Sequence, residues 1–139
     1  MAKINNVTCT AFLGFPINLD ECFSFFTCYK CFSQIKYNPS KFGALILKFT
    51  NDKITLLVWS SGNIVVTGGK HPNDNFIITK RLVETLHRLY GNINYSVAKF
   101  VIQNIQATGA TGFGVKFDSL SRLKNVLYAK LVLCTPLFI

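Results

Sequence analysis

Amide side chains at recurring positions are the residues of this chain whose types and spacing suggest a chemistry. Asn5-Asn6-Val7 recurs late in the sequence as Gln103-Asn104-Ile105. An amide NH2 group donates hydrogen bonds, so such pairs can read a row of acceptor atoms. By contrast, the 6 acidic residues are scattered, and neither histidine has a nucleophile or base at catalytic spacing. We therefore expect a binding protein and not an enzyme, with no catalytic residues and no cofactor.

A basic surface is the second feature that points to binding. The 139 residues include 15 Lys and Arg against 6 Asp and Glu, which gives a net charge of +9. Such a field favours a polyanion, most often nucleic acid, although a basic surface that binds nothing is the alternative. Hydrophobic residues make up 50% of the chain, and a chain of this length forms a single domain around one core.

Hydropathy and cysteine spacing argue against several other classes of protein. No apolar run reaches the roughly 18 residues that span a bilayer, and Met1-Ala2-Lys3 leads straight into a strand. We therefore expect an intracellular protein without a membrane segment. The odd number of cysteines, 5, argues against a disulfide framework. Cys28-Tyr29-Lys30-Cys31 has the spacing of half a zinc site, but a second pair is missing, so we predict reduced thiols and no metal.

The chain alternates predicted strands and helices. A first strand covers residues 4–13, and Asn18 or Asp20 caps a helix that runs from Glu21 to about Ser33. Three strands follow, at residues 42–49, 54–60 and 64–67. A long helix then covers residues 75–89, and its predicted buried stripe is Ile77, Leu82, Leu86 and Leu89. A strand at residues 99–108 and a helix at about residues 120–129 complete the prediction.

One face of the predicted sheet needs a cover. This order of elements favours an antiparallel sheet with its helices on one face, and such sheets normally alternate apolar and polar residues. Leu56-Leu57-Val58-Trp59 and Ile64-Val65-Val66 are instead apolar on both faces. A second sheet, a partner protein or DNA could cover the face away from the helices, so the sequence predicts an interaction surface there.

The residues of that uncovered face suit one kind of nucleic-acid surface. Read with period two, the face collects amides, hydroxyls, apolar side chains and one large aromatic: Asn6, Thr8, Leu57, Trp59, Ser61, Val65, Thr67 and Asn104. The floor of an A·T minor groove presents only acceptors, adenine N3 and thymine O2, which amide groups can read. Amides in central strands also commonly bond to neighbouring backbone groups, and aromatic residues commonly pack in cores.

Two longer motifs connect these positions to a known family. Tyr37-Asn38-Pro39-Ser40-Lys41-Phe42 precedes a strand, and Ser60-Ser61-Gly62 leads through a short strand to Thr67-Gly68-Gly69-Lys70. With the amide repeat, these motifs resemble the TATA-box-binding protein family over about residues 4–120. The resemblance implies an α+β saddle, a curved antiparallel sheet with helices packed on its convex face. It also implies a complete first repeat, residues 4–98, and a truncated second repeat, residues 99–139, so that the second half is incomplete.

The resemblance also implies a DNA-binding site on the concave face. In it, Asn5-Asn6 and Gln103-Asn104 are the central amide pairs, and Phe42 and Trp59 are the aromatic wedges that unstack a base step. The other contacts that it implies, with the groove floor and the phosphates, are Thr8, Leu57, Val65, Thr67, Ser61, Lys41 and Lys70.

Several positions depart from the family pattern. Trp59 stands where the family has Phe, and Asn5 stands where it has Gln. Thr50 and Asn63 occupy positions where the family usually has Arg and Lys, and the loss of phosphate contacts should weaken binding and its salt dependence. Gln106 replaces a groove-facing Val, as Thr8 does, which makes the floor less apolar and blunts the preference for A·T.

Two functions follow from the resemblance. The first is a transcription initiation factor that acts in the nucleus with general transcription factors, binds A·T-rich TATA-type double-stranded DNA in its minor groove and bends it. The alternative is a protein-interaction module that mimics or antagonises such a factor by binding general transcription factors without stable DNA binding. A half-saddle could be completed by a second copy or by another protein, or it could be a decayed product; unpaired strand edges favour a homodimer.

Overall fold

Strands and helices follow one another in the order that an α+β fold requires. The computed structural model describes residues 2–109, with side chains described for residues 3–108. In chain order the elements are β1 (Ala2–Phe12), α1 (Leu19–Tyr29), β2 (Phe32–Asn38), β3 (Phe42–Phe49), β4 (Thr55–Val58), β5 (Asn63–Gly69), α2 (Pro72–Leu89) and β6 (Ala98–Gly109).

The strands form one antiparallel sheet with the order β2-β3-β4-β5-β1-β6. Strands β2 to β5 each pair with the next strand in the chain. Strand β1, the first in the chain, lies between β5 and β6. The amide repeat therefore lies on two adjacent strands, because Asn5-Asn6 is in β1 and Gln103-Asn104 is in β6. The predicted α+β class with an antiparallel sheet is confirmed.

Both helices pack on the same face of the sheet. Leu19, Cys22 and Phe26 from α1 share a core with Leu82 and Leu86 from α2. The strand residues in that core alternate along each strand with residues of the other face; they are Ala11, Leu45, Leu47, Phe49, Leu56, Val58, Ile64 and Val66. Burying one such Leu, Ile or Val stabilises the fold by about 1.5–3 kcal/mol, so the helices and this half of each strand form the stable part of the domain.

Helix α1 is shorter than predicted. Its N-cap is Asn18, whose side chain accepts a hydrogen bond from the Glu21 backbone N–H at 3.1 Å. The helix ends at Tyr29 because Lys30 takes a left-handed conformation with φ 59°. The prediction that the helix continues to about Ser33 was therefore wrong. Residues Phe32–Asn38 form β2 instead, a strand that the sequence did not predict and that pairs with β3.

Helix α2 begins earlier than predicted, and the face that it turns towards the sheet differs from the predicted one. It starts at Pro72, and its N-cap His71 accepts a hydrogen bond from the Asn73 backbone N–H at 3.0 Å. Leu82 and Leu86 are buried as predicted, but Ile77 is 50% exposed, so its assignment to the buried stripe was wrong. Two polar residues, Asn75 and Thr79, are fully buried and therefore lie on the face that α2 turns towards the sheet. Leu89, also predicted in the stripe, is only half-buried.

The remaining strand predictions are confirmed with shifts of a few residues at their ends. The strand predicted at residues 42–49 has those bounds in β3, while the strand predicted at 54–60 is reduced to β4. The strands predicted at 4–13, 64–67 and 99–108 correspond to β1, β5 and β6. The helix predicted at about residues 120–129 lies outside the described residues.

Asn75 ties helix α2 to the two central strands. Its Nδ2 donates to the carbonyl oxygen of Val7 in β1 at 2.8 Å and to that of Val66 in β5 at 3.2 Å. Its Oδ1 is buried and has no hydrogen-bond partner among the described residues. A Cβ placed on Gly69 would lie 2.0 Å from this Oδ1. Glycine is therefore required at position 69 to leave room for the Asn75 amide.

The substitution Gly69→Ala should destabilise the fold by about 1–3 kcal/mol, because the new methyl group displaces the Asn75 side chain in a packed core. Urea denaturation of both proteins measures this difference. Gly43→Ala is the matched control, since a Cβ there meets no atom within 4 Å. Equal midpoints for Gly69→Ala and Gly43→Ala would contradict the role given to the Asn75 contact.

Cys22 is a titratable group in the core. Burial raises the pKa of its thiol from the ordinary 9.0 to about 12, although a hydrogen bond with Tyr90 acts in the opposite direction. Burial and the neighbouring Glu21 also raise the pKa of Tyr90, whose hydroxyl donates to Glu21 Oε1 at 2.6 Å. Both groups are therefore protonated in the folded protein at pH values where the unfolded chain begins to release these protons.

This difference predicts an alkaline loss of stability. A raised folded-state pKa stabilises the fold fully below the unfolded value, and that stabilisation disappears as the pH rises from about 9 towards about 12. The free energy of unfolding, measured by urea titration between pH 7 and pH 10, should fall above pH 9. Cys22→Ala should reduce this slope, whereas Cys28→Ala, at an exposed position, should keep it. An identical slope in Cys22→Ala would refute the assignment to this thiol.

Candidate nucleic-acid interface

The sheet face opposite the helices is uncovered among the described residues, and we call it the open face. Directly opposed residues of adjacent strands share a face, so the strand registers place side chains in rows across the sheet. One row, the polar row, crosses all the strands of the sheet and consists of Gln34, Lys48, Thr55, Thr67, Thr8 and Asn104. Hydroxyl and amide groups dominate it, so it is a line of hydrogen-bonding groups through the middle of the open face.

The next row towards the β4–β5 turn is mostly apolar. It consists of Lys36, Ile46, Leu57, Val65, Thr10 and Val101. Val101 is 41% exposed, and Leu57 and Val65 are half-buried although no helix covers them. This apolar row gives the open face a strip that water solvates poorly, beside a strip that donates and accepts hydrogen bonds.

Aromatic side chains lie at the end of the open face beyond the apolar row. Phe42 and Trp59 contact each other edge to face, with their ring centroids 6.0 Å apart, and Phe42 is 45% exposed. Phe12 lies across the sheet on β1, where it pairs with Asn63. Trp59 and Phe12 both line a cleft of about 380 Å³, which Val101 also lines.

The amide groups of the open face bond to side-chain hydroxyls. Asn6 Nδ2 donates to Thr67 Oγ1 at 3.1 Å, and the hydroxyls of Thr8 and Thr67 are 2.9 Å apart. Gln103 Nε2 donates to Thr10 Oγ1 at 2.9 Å. These side chains are exposed or half-buried, and a hydroxyl can turn to a different partner. The network can therefore hold the amides in place and still release them to an acceptor from outside.

A separate hydrogen bond holds Asn5 at the far end of β1. Its Nδ2 donates to Thr108 Oγ1 on β6 at 3.2 Å, and both residues are exposed. The register between β1 and β6 is irregular beside Asn5, and Asn6 pairs with Gln106. The two members of the Asn5-Asn6 pair therefore have different hydroxyl partners on different strands.

The structure brings most of the predicted site residues onto the open face. Those on or beside it are Asn6, Thr8, Phe42, Leu57, Trp59, Val65, Thr67, Gln103 and Asn104. Lys41 and Ser61 lie exposed in turns at the ends of strands, and Ser61 Oγ accepts a hydrogen bond from Asn63 Nδ2 at 2.9 Å. Lys70 follows β5 and lines a cleft of about 460 Å³ between the turn at residues 51–54 and α2.

The sequence prediction missed several residues of the open face. Thr10 and Phe12 continue the alternation of Asn6 and Thr8 along β1, so their spacing could have revealed them. Ile46 and Val101 enter the apolar row only through the strand registers, and the sequence contains no signal for those registers.

The described residues form neither a metal centre nor a membrane-spanning helix. Among residues 2–109 no three His, Cys, Asp or Glu side chains are grouped so that they could hold a metal ion. Neither α1 nor α2, the two helices of this range, has the combination of length and apolar sequence that a membrane-spanning helix needs. Cys22, Cys28 and Cys31 are free thiols, and burial raises the pKa of the Cys31 thiol.

Comparison with known proteins gives a consistent result. Residues 1–89 match the family model described as transcription factor TFIID (or TATA-binding protein, TBP). TATA-box-binding protein-like 1 of Entamoeba histolytica is 35% identical over 120 residues, which cover 86% of this chain and 52% of that protein. The TATA-box-binding protein of Sulfolobus acidocaldarius is 30% identical over 129 residues, which cover 92% of this chain and 62% of that protein.

A solved structure extends the likeness to three dimensions. The TBP of Methanococcus jannaschii matches with a TM-score of 0.65 at 25% identity, over 86% of this chain and 65% of that chain. The chain thus spans between 52% and 65% of the length of these relatives. The saddle fold that the motifs implied is confirmed by this match.

The exposed position of Phe42 leads to a prediction about stability. Phe42→Ala should cost only about 1–2 kcal/mol, because the half-exposed ring loses one aromatic contact and part of a buried area. Phe49→Ala is the matched control in the same strand: Phe49 is 1% exposed, and its loss should cost about 3–5 kcal/mol. Thermal and urea unfolding of both variants measure the difference. A loss for Phe42→Ala as large as that for Phe49→Ala would place Phe42 in the core.

Proposed function

Since the chain belongs to the TATA-binding protein family, we propose that it is a transcription initiation factor that binds A·T-rich, TATA-type duplex DNA. In this proposal the open face enters the minor groove, and aromatic side chains unstack a base step and bend the duplex, as in the established mechanism of the TATA-binding protein. The TATA-binding protein family is a non-enzymatic, DNA-binding fold.

The observation that carries the proposal is the pair of rows on the open face. The minor groove of A·T pairs presents only acceptors at its floor, whereas G·C pairs add the guanine amino donor. The polar row can donate to those acceptors through Asn104 and, beside it, Asn6. In the apolar row, the side chains of Leu57 and Val65 offer no acceptor to a guanine amino group. Together the rows favour A·T over G·C.

Each predicted site residue has a proposed role on this surface. Asn5, Asn6, Gln103 and Asn104 are the amides that reach the groove floor. Thr8, Leu57, Val65 and Thr67 form the surface that lies against the sugars and base edges. Phe42 and Trp59 are the wedges, while Lys41, Ser61 and Lys70 contact the backbone.

Binding requires the amides to change partners. The Thr67 hydroxyl bonds to both Asn6 and Thr8 in the unbound protein, so each group that turns to DNA leaves a hydroxyl able to rotate towards another acceptor. The exchange replaces one hydrogen bond by another, and the net cost is small because a typical hydrogen bond contributes only about 0.5–1.5 kcal/mol. The apolar row and the charge of the chain then supply most of the affinity.

The exposure of the aromatic pair supports insertion into the duplex. A wedge must be accessible before binding, and Phe42 is 45% exposed. It must also be supported from one side, and Trp59 meets the Phe42 ring edge to face. Unstacking a base step costs a few kcal/mol, and the larger contact area between the bent duplex and the sheet offsets that cost.

Protein partners are part of the same proposal. In this proposal residues 4–98 form the first repeat, β6 begins the second, and a second copy of the chain or another protein binds beside it on the DNA. General transcription factors approach the turn at residues 50–54 and helix α2, where Ile77 is 50% exposed. The site of action is then where transcription occurs, which in a eukaryote is the nucleus.

A fluorescence titration tests the proposal directly, because Trp59 is the single tryptophan of the chain. We expect a TATA duplex, but not a G·C-rich duplex, to quench Trp59, and we expect salt to weaken this binding because phosphate contacts release counterions. Energy transfer between dyes at the two duplex ends should report bending on the same samples. Phe42→Ala should abolish both signals.

Phe15→Ala is the matched control for Phe42→Ala. Phe15 is 44% exposed, close to the value for Phe42, but it packs on Tyr95 away from the open face. The Phe15→Ala variant should bind and bend DNA like the unmodified protein. No change of Trp59 fluorescence with either duplex would overturn the DNA-binding proposal and favour the protein-interaction module that binds general transcription factors without stable DNA binding.

A further inference from the structure

Lys99 lies at a bulge between β1 and β6. The register pairs Thr10 with Val101 and Phe12 with Ala98, so two residues of β6, Lys99 and Phe100, oppose one residue of β1. Lys99 has φ 51°, a left-handed conformation that bulges of this kind normally assign to glycine. A lysine here carries a backbone cost that glycine would avoid, so the backbone conformation does not account for a lysine at this position.

The bulge brings the Lys99 side chain to the aromatic end of the open face. Its Nζ is 5.8 Å from the centroid of the Phe12 ring, a distance at which a ring attracts an ammonium group. Lys99 and Phe12 both line the cleft of about 380 Å³ that also contains Trp59. An exposed cation is therefore fixed on the surface on which DNA is proposed to bind.

Among the described residues, no acidic side chain in that cleft compensates the charge of Lys99. The part of its lining that the structure describes combines the rings of Phe12 and Trp59 with the polar side chains of Thr10 and Asn63. The polar groups present are a hydroxyl and an amide, which do not neutralise an ammonium. The cleft is therefore suited to an anion that arrives together with apolar or aromatic surface, as a phosphodiester does beside a base.

We propose that Lys99, oriented by the Phe12 ring, binds a backbone phosphate of duplex DNA next to the base step at the Phe42–Trp59 pair. This inference rests on the proposed function and adds a phosphate contact that the sequence motifs did not indicate. The minor groove is only about 6 Å wide. Side chains at the ends of the strands therefore meet the backbone while the rows between them meet the groove floor. Lys99 lies at such an end, at the start of β6.

The test measures binding of the full chain to a TATA duplex at several salt concentrations. Each phosphate contact contributes about 0.9 to the slope of log affinity against log salt. Lys99→Gln should lower the magnitude of that slope by about this amount, and Lys99→Arg should restore it. Lys80→Gln is the matched control, since it removes the same charge from an exposed position on α2, on the opposite side of the sheet; its slope should equal that of the unmodified protein.

Two further variants separate binding from folding. Lys99→Gly should keep or raise the melting temperature, because glycine adopts the left-handed conformation without strain, yet it should lose the same part of the salt slope as Lys99→Gln. Phe12→Leu keeps the charge but removes the ring, so its affinity at fixed salt should fall about two- to fivefold with the slope retained.

Each contrary outcome has a distinct meaning. If the unmodified protein binds the duplex and Lys99→Gln has the same salt slope, the Lys99 site is overturned and the proposed function stands. If Lys80→Gln lowers the slope as much as Lys99→Gln does, the effect is one of total charge and the site is again overturned. If the unmodified protein binds no duplex, both proposals fail.

Discussion

Helices cover only one face of the sheet, and the rest of the structure depends on this asymmetry. Because side chains of a strand alternate between faces, every strand contributes half of its residues to the core and half to the open face. The core half is apolar throughout, from Ala11 to Val66, and holds the strands in register. Residues of the open face do not pack against the helices, so their types can suit the binding of a partner instead.

The Asn75 amide links these two halves of the structure. It bonds to carbonyl groups of β1 and β5 from the helix side, while Thr8 and Thr67, which share a hydrogen bond on the open face, belong to the same two strands. The position of α2 therefore fixes the central strands that carry the polar row. Burial of the Asn75 amide costs free energy, because its Oδ1 has no hydrogen-bond partner among the described residues. The space that Gly69 leaves for this amide shows how closely α2 approaches the sheet.

Local departures from regular structure give the open face its particular chemistry. The left-handed Lys30 ends α1 early and frees the following residues to form the edge strand β2, which adds Gln34 and Lys36 to the rows. The bulge at Lys99 carries a cation to the aromatic end. In this way a sheet with few charged residues on its open face acquires basic groups at its margins, where the backbone of a bound duplex would run.

The sequence by itself determined the family, the α+β class, the bounds of β3 and the presence of amides, hydroxyls and aromatics on one face. These features depend on period-two alternation and on motifs such as residues 37–42, which are local and therefore readable along the chain. Only the tertiary structure decided that residues 32–38 form a strand and that Ile77 points outward, because pairing with β3 and burial of Asn75 overrode local propensity. It also decided which residues of different strands stand side by side, since register is set by contacts between residues far apart in the chain.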